Sequence, residues 1–240
     1  HFNVKDQQVF STGQSQLNHE EFLCNRDGRC VWLLSSKLPL KDSAGQVVGL
    51  VGIGRDITER KRMELERELT IALLQLINEQ NDLHDLACAV LDLLRRELDY
   101  EAVGIRLSQG DDFPYYETRG FPPEFVQVES SLCAFNQQGQ LLRDSEGHPV
   151  LECMCGDILC GRFNPALPFF TEHGSFWATT TATLLAANSA ADRQGRARNR
   201  CHAGGYQSTA LIPLRVGTEI LGLLQLNDRR PGRFDRQTVA

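Results

Sequence analysis

Gly205-Tyr206-Gln207-Ser208-Thr209-Ala210-Leu211-Ile212-Pro213-Leu214-Arg215-Val216-Gly217-Thr218-Glu219-Ile220-Leu221-Gly222-Leu223-Leu224-Gln225-Leu226 is the stretch that decides the fold. Two apolar runs, Ser208 to Arg215 and Ile220 to Asn227, flank Val216-Gly217-Thr218-Glu219, a hairpin signal. Upstream, Ala102 to Leu107 alternates as a strand, and Tyr115 to Thr118 reads as its partner across Gly110-Asp111-Asp112. Further back, Glu20 to Cys24, Cys30 to Leu38 and Val47 to Arg55 form a meander broken by Asp27-Gly28 and by Asp42-Ser43-Ala44-Gly45. Between these strand zones, Leu69, Leu73, Leu76, Gln80, Leu83, Ala87, Val90 and Leu94 recur at helical spacing. Asp56 and Glu59 give a capping-box-like start, the polar run 78–82 interrupts the helix, and Asp82 caps a second helix to Leu98. The fold class is therefore α+β: two antiparallel-sheet domains joined by a long helix. The expected boundaries are 1–57, a linker helix over 58–81, and 82–240.

Of 240 residues, 25 are Lys or Arg and 31 Asp or Glu, a net charge of −6. That balance lacks the basic footprint of a nucleic-acid binder, so no nucleic-acid partner is expected. No apolar run approaches the ~18 residues of a membrane span. Of the eight cysteines, Cys24 and Cys30 flank the Asp27-Gly28 turn. A two-residue turn would put their thiols on opposite faces, unable to bridge. A reducing, cytoplasmic setting follows.

Asp27-Gly28, Trp32 to Leu40 and Gly45 to Lys61, with its Asp56-Ile57-Thr58 entering a charged helix, resemble the C-terminal half of a PAS domain. Its N-terminal half is expected to be missing or to lie upstream. The third zone resembles a GAF domain lacking its final helix, through Gly205 to Leu214 and the Gly222-Leu223-Leu224 of the next strand; that helix would start near Phe234 and is expected to be cut off. These resemblances imply a sensory or relay segment of a bacterial signal-transduction protein such as a histidine kinase or a cyclic-dinucleotide enzyme. They also imply a parallel homodimer through the linker helix, a downstream output domain, and a small-ligand or redox signal. No catalytic residue is expected within the chain: it has no Walker loop, Gly-x-Gly-x-x-Gly or Ser-His-Asp ordering, and His84 reads as an exposed helix residue rather than a phosphoacceptor.

The chemistry-bearing constellation is Cys153-Met154-Cys155-Gly156-Asp157-Ile158-Leu159-Cys160, with Cys201 downstream. Three close sulfurs plus a distant one can hold zinc or an iron–sulfur cluster, can be redox-reactive, or can simply pack. Arg193, Arg196 and Arg200 share a helical face, and their field would favour a thiolate at Cys201. Haem, with His173, His202 or a cysteine as axial ligand, is a further cofactor reading. Cys201-His202 also resembles the bilin-holding pair of cyanobacteriochrome GAF domains, though it lies too close to Ser208. Phe176, Trp177, His173, Arg200 and His202 are the expected lining of a small-molecule pocket.

Overall fold

The computed structural model describes residues 4–24, 30–180, 182–183, 185, 198 and 200–239. It divides into two units, His1–Gln75 and Leu76–Ala240.

The first unit holds α1 (Val4–Thr12) and strands β1 (Gln16–Cys24), β2 (Cys30–Lys41) and β3 (Val47–Asp56), antiparallel in that order. The β2–β3 turn is fixed by Asp42, whose Oδ1 accepts from the amides of Ala44 and Gln46, both at 2.9 Å. The β1–β2 register corrects the expectation for the cysteines. Cys24 lies directly opposite Cys30, and the two form a disulfide. The two-residue turn rule puts the register one residue off, and a one-residue slip exchanges faces; the turn itself lies outside the described residues. The Asp-Ile-Thr motif closes this unit. Ile57 N donates to Trp32 O at 2.8 Å, Trp32 N donates back to Thr58 Oγ1 at 2.9 Å, and Asp56 Oδ1 accepts from Thr58 N at 2.9 Å. The end of the sheet and the start of the next helix are thereby one hydrogen-bonded element. That helix, α2 (Thr58–Glu79), has no buried residue, and Met63, Ile71, Leu74 and Ile77 are exposed on it.

In the second unit α3 (Leu83–Leu98) begins at the expected cap: Asp82 Oδ1 accepts from the amides of His84 (2.7 Å) and Asp85 (3.3 Å). Strands β4 (Ala102–Leu107) and β5 (Tyr115–Arg119) follow, then α4 (Pro123–Glu129), α5 (Cys153–Leu159), β6 (Phe176–Ala178) and α6 (Arg200–Ala203). The hairpin β7 (Ser208–Val216) and β8 (Glu219–Asp228) comes next, and α7 (Arg236–Val239) ends the unit. The sheet is antiparallel in the order β5-β4-β8-β7-β6. Alternation along its strands produces two cores. One holds Leu91, Tyr100, Val103, Ala210, Leu226 and Phe234; the other holds Leu132, Met154, Ile158, Phe176, Leu211 and Leu223. Gly222 is required on β8, since a Cβ there would collide with the carbonyl oxygen of Arg106.

The irregular middle has the internal order its length demands. Paired bridges Cys133–Leu151, Phe135–Leu141 and Arg143–Pro149 make a narrow ribbon. Asn136 and Asp144 each turn it by accepting two backbone amides, from Gln138 and Gln140 and from Glu146 and His148, all at 2.9 Å.

Candidate functional site

The polar centre of the second unit is built from inward-facing residues of β4 and β8. Arg106, in the run Ala102-Val103-Gly104-Ile105-Arg106-Leu107, is fully buried. Its Nη1 donates to the carbonyls of Phe113 (3.0 Å) and Ser130 (3.2 Å), and its Nη2 to that of Glu129 (2.7 Å). Its guanidinium lies 3.6 Å from the ring centroid of Tyr115. Gln225 on β8 links this cation to the thiols. Its Oε1 accepts from Tyr115 Oη at 2.9 Å and lies 3.9 Å from Cys155 Sγ, while its Nε2 points at Cys201 Sγ, 3.7 Å away, and at Asn227 Oδ1, 3.0 Å away.

Glu129, the last residue of α4, is the acid of this centre and is only 3% exposed. Its Oε1 is buried and accepts no hydrogen bond among the described residues. Arg200 Nη1 at 3.2 Å and Arg198 Nη1 at 3.9 Å hold it by charge alone. Burial raises its carboxyl above the ordinary value, against the opposing charges of Arg106, Arg198 and Arg200. Arg198 is itself anchored by an ion pair with Glu152 and by the carbonyls of Ser131 and Cys133, at 2.6 and 2.9 Å.

The cysteines behave differently from the expectation of an arginine-activated thiolate. Burial pushes Cys201 up to about 12 and Cys133 to about 11, and it raises Cys155 well above its usual range. Desolvation outweighs the arginine field because the nearby guanidiniums are committed to Glu129, Glu152 and carbonyl oxygens. Arg193 and Arg196 lie outside the described residues. Cys153, Cys155 and Cys201 are close enough to act electrostatically on one another, whereas Cys160 is at the surface at the end of α5. Among the described residues these sulfurs do not form a set of three within 4.8 Å of one another.

Phe176 and Trp177, adjacent on β6, belong to the two opposite cores and so do not line a common wall. His173 and His202 are exposed, while Arg200 reaches the centre through Glu129. Arg106, Gln225 and Glu129 were missed by sequence reasoning. The available signal was a polar residue at an inward-facing position of an otherwise apolar strand, as in Ile105-Arg106-Leu107 and Leu224-Gln225-Leu226.

The sequence profile of the GAF domain matches residues 82–240. This chain belongs to the GAF domain family. A PAS fold precedes the GAF domain, its profile matching residues 2–62. The aerobic respiration control sensor protein ArcB of Escherichia coli strain K12 is 45% identical over 64 residues, 26% of this chain and 8% of that protein. The chain thus spans a small fraction of that relative's length. Among solved structures, a protein of Burkholderia vietnamiensis described as a GAF sensor shares 15% identity, with 72% of this chain and 83% of that one covered and a TM-score of 0.46. Free methionine-R-sulfoxide reductase from Neisseria meningitidis, in complex with its substrate, shares 11% identity, covering 71% and 79%, with a TM-score of 0.43. No residue role passes from either to the GAF domain of this chain. PAS and GAF domains in succession are a sensory module of signal transduction. Among the described residues no helix is long and apolar enough to cross a membrane.

Proposed function

We propose that the chain is the sensory and relay segment of a two-component sensor kinase, whose GAF domain takes a small polar ligand at the Arg106–Gln225–Glu129 centre. The observation that carries this reading is Glu129 Oε1, a buried carboxylate oxygen with arginines beside it and no hydrogen-bond donor among the described residues. A ligand N–H or O–H would supply that donor, since a buried acceptor left unmade costs ~1–3 kcal/mol. The neutral thiols of buried Cys155 and half-buried Cys201 then serve as wall groups and not as nucleophiles. Binding would be relayed through α2, whose apolar residues Met63, Ile71, Leu74 and Ile77 are exposed and suit a coiled-coil seam in a parallel homodimer that leads to an output domain.

A second reading, a cysteine-held metal, cluster or haem, is favoured by the proximity of Cys153, Cys155 and Cys201. One experiment separates the two: elemental analysis and an absorption spectrum on protein purified without oxygen, alongside a thermal-shift screen of small polar compounds on wild type and Glu129→Gln. Colourless protein that is stabilised by a compound in wild type and not in Glu129→Gln supports the ligand reading. Stoichiometric iron or zinc lost in Cys153→Ser and Cys201→Ser overturns it in favour of the metal. Sedimentation of wild type against Leu74→Asp tests the dimer, which a monomeric wild type would refute.

A further inference from the structure

A second cluster of ligand-type side chains lies apart from the polar centre, where the first turns of α3 face β5. His84 and Cys88 are one helical turn apart and so project from the same face of α3. Glu117 comes to them from β5. Cys88 Sγ is 3.7 Å from His84 Nε2, and Glu117 Oε2 is 3.6 Å from His84 Nδ1. One imidazole nitrogen, the sulfur and a carboxylate oxygen all lie within 4.8 Å of one another, the only such set of three among the described residues. Metal–sulfur and metal–nitrogen bonds of about 2.3 and 2.0–2.1 Å place neighbouring donors of a tetrahedron about 3.5 Å apart. The two close spacings run to opposite nitrogens of the ring, and with a single nitrogen the three donors lie within 4.8 Å, a span that a small rotation of the exposed imidazole brings to that edge.

The surroundings prepare the donors. Glu117 uses Oε1 for the amide of Thr118 (3.0 Å) and for Arg119 Nη1 (2.5 Å), which leaves Oε2 turned to His84. Arg119 is fixed in turn by Asp92, at 2.8 Å. Hydrogen bonds of this kind hold a ligand carboxylate in one orientation. The imidazole is more than half exposed, with an edge-on contact to Tyr116 at 6.0 Å between centroids, and can pivot to direct one nitrogen at the shared point. Asp85 and Asp92 add negative charge on α3, whose own cations, Arg95 and Arg96, lie in its last turn, and Arg119 is paired with Asp92.

We propose that His84, Cys88 and Glu117 form a binding site for a zinc-class divalent cation, with nitrogen, sulfur and oxygen donors and a fourth position open to solvent. Binding displaces the Cys88 thiol proton to water and ties the start of α3, immediately after the α2–α3 break, to the edge strand β5. The set mixes a soft and a hard donor and has only three protein ligands, which favours an exchangeable ion over a permanent structural one.

The probe is Co²⁺ titrated into the chelator-treated full chain under a phosphine reductant. The expected result is a thiolate-to-cobalt charge-transfer band that saturates at one ion per chain and is displaced by Zn²⁺. The band should be absent in Cys88→Ser. Affinity should fall at least ~10-fold in Glu117→Gln and further in His84→Ala. The double variant Cys153→Ser/Cys201→Ser should keep the band unchanged, which separates this site from the polar centre. No band, a band surviving in Cys88→Ser, or one lost in the Cys153/Cys201 double variant would each overturn the proposal. Far-ultraviolet circular dichroism verifies that Cys88→Ser is folded; were it not, Glu117→Gln alone decides.

Discussion

Replacing Arg106 with Met tests the reading of the GAF centre most directly. Arg106 donates to the carbonyls of Phe113, Glu129 and Ser130 and sits on the face of Tyr115. A methionine fills much of the same volume and supplies none of these donors. The buried carbonyl of Glu129 and the part-buried ones of Phe113 and Ser130, left without this donor, cost up to ~1–3 kcal/mol each, and a desolvated cation–π contact is worth ~2 kcal/mol. Against this, the variant no longer buries a charge, which returns several kcal/mol. The net expected loss is about 3 kcal/mol, or about 6–12 °C in the GAF transition for a domain of this size. Scanning calorimetry of wild type and variant reads it, with the GAF transition followed apart from that of the PAS unit. Arg106→Lys should fall in between, because one ammonium cannot fork to three carbonyls. A shift under about 2 °C, or a stabilised variant, would show that burying the charge costs as much as its contacts return.

Three further predictions concern the thiols and the acids. In native protein at neutral pH, iodoacetamide should label surface Cys160 well before Cys155 and Cys201, whose thiols burial keeps protonated; rapid labelling of Cys201 by mass spectrometry would contradict this. Asp228 is buried, yet hydrogen bonds and charge from Arg230 and Arg233 outweigh its desolvation and hold its carboxyl below the usual range. The unfolded chain therefore takes up this proton first, stability is lost as pH falls below about 4, and Asp228→Asn should flatten that acid limb in melting curves. Parallel limbs in the two proteins would refute it. Cys24→Ser should lower the stability of the PAS unit by about 2 kcal/mol, the loop-closure value for so short a ring, as measured by thermal melts with and without reductant; identical melts would refute a stabilising bridge.

The elements whose local signals agree with their long-range pairing were legible. The β7–β8 hairpin turns at Gly217-Thr218, β4 spans Ala102–Leu107 as its alternation implies, and Asp82 caps α3. Where a local rule had to choose between registers, it failed: the Asp27-Gly28 signal favours a two-residue turn, but pairing sets Phe22 opposite Trp32 and Cys24 opposite Cys30. The site was legible only as a set of residue types. Cys155 and Cys201 stood out in sequence, but Gln225, which joins them, and Arg106, more than a hundred residues away from it, meet only through the β4–β8 pairing. Nothing in the sequence near Glu129 announces that its carboxylate is buried.

That same pairing governs how the domain is made. β4 is hydrogen-bonded to β8, so its inner edge stays open until residues beyond Glu219 have been synthesised. At ~5–20 residues per second, the 112 positions from Leu107 to Glu219 keep the nascent β4–β5 hairpin waiting for about 6–22 s. Throughout that interval Arg106 has no Gln225 to meet, and α5, which carries Cys153 and Cys155, has no completed sheet to settle on. Ribosome-bound chains that stop short of β8 should therefore be the aggregation-prone and oxidation-prone form of this protein.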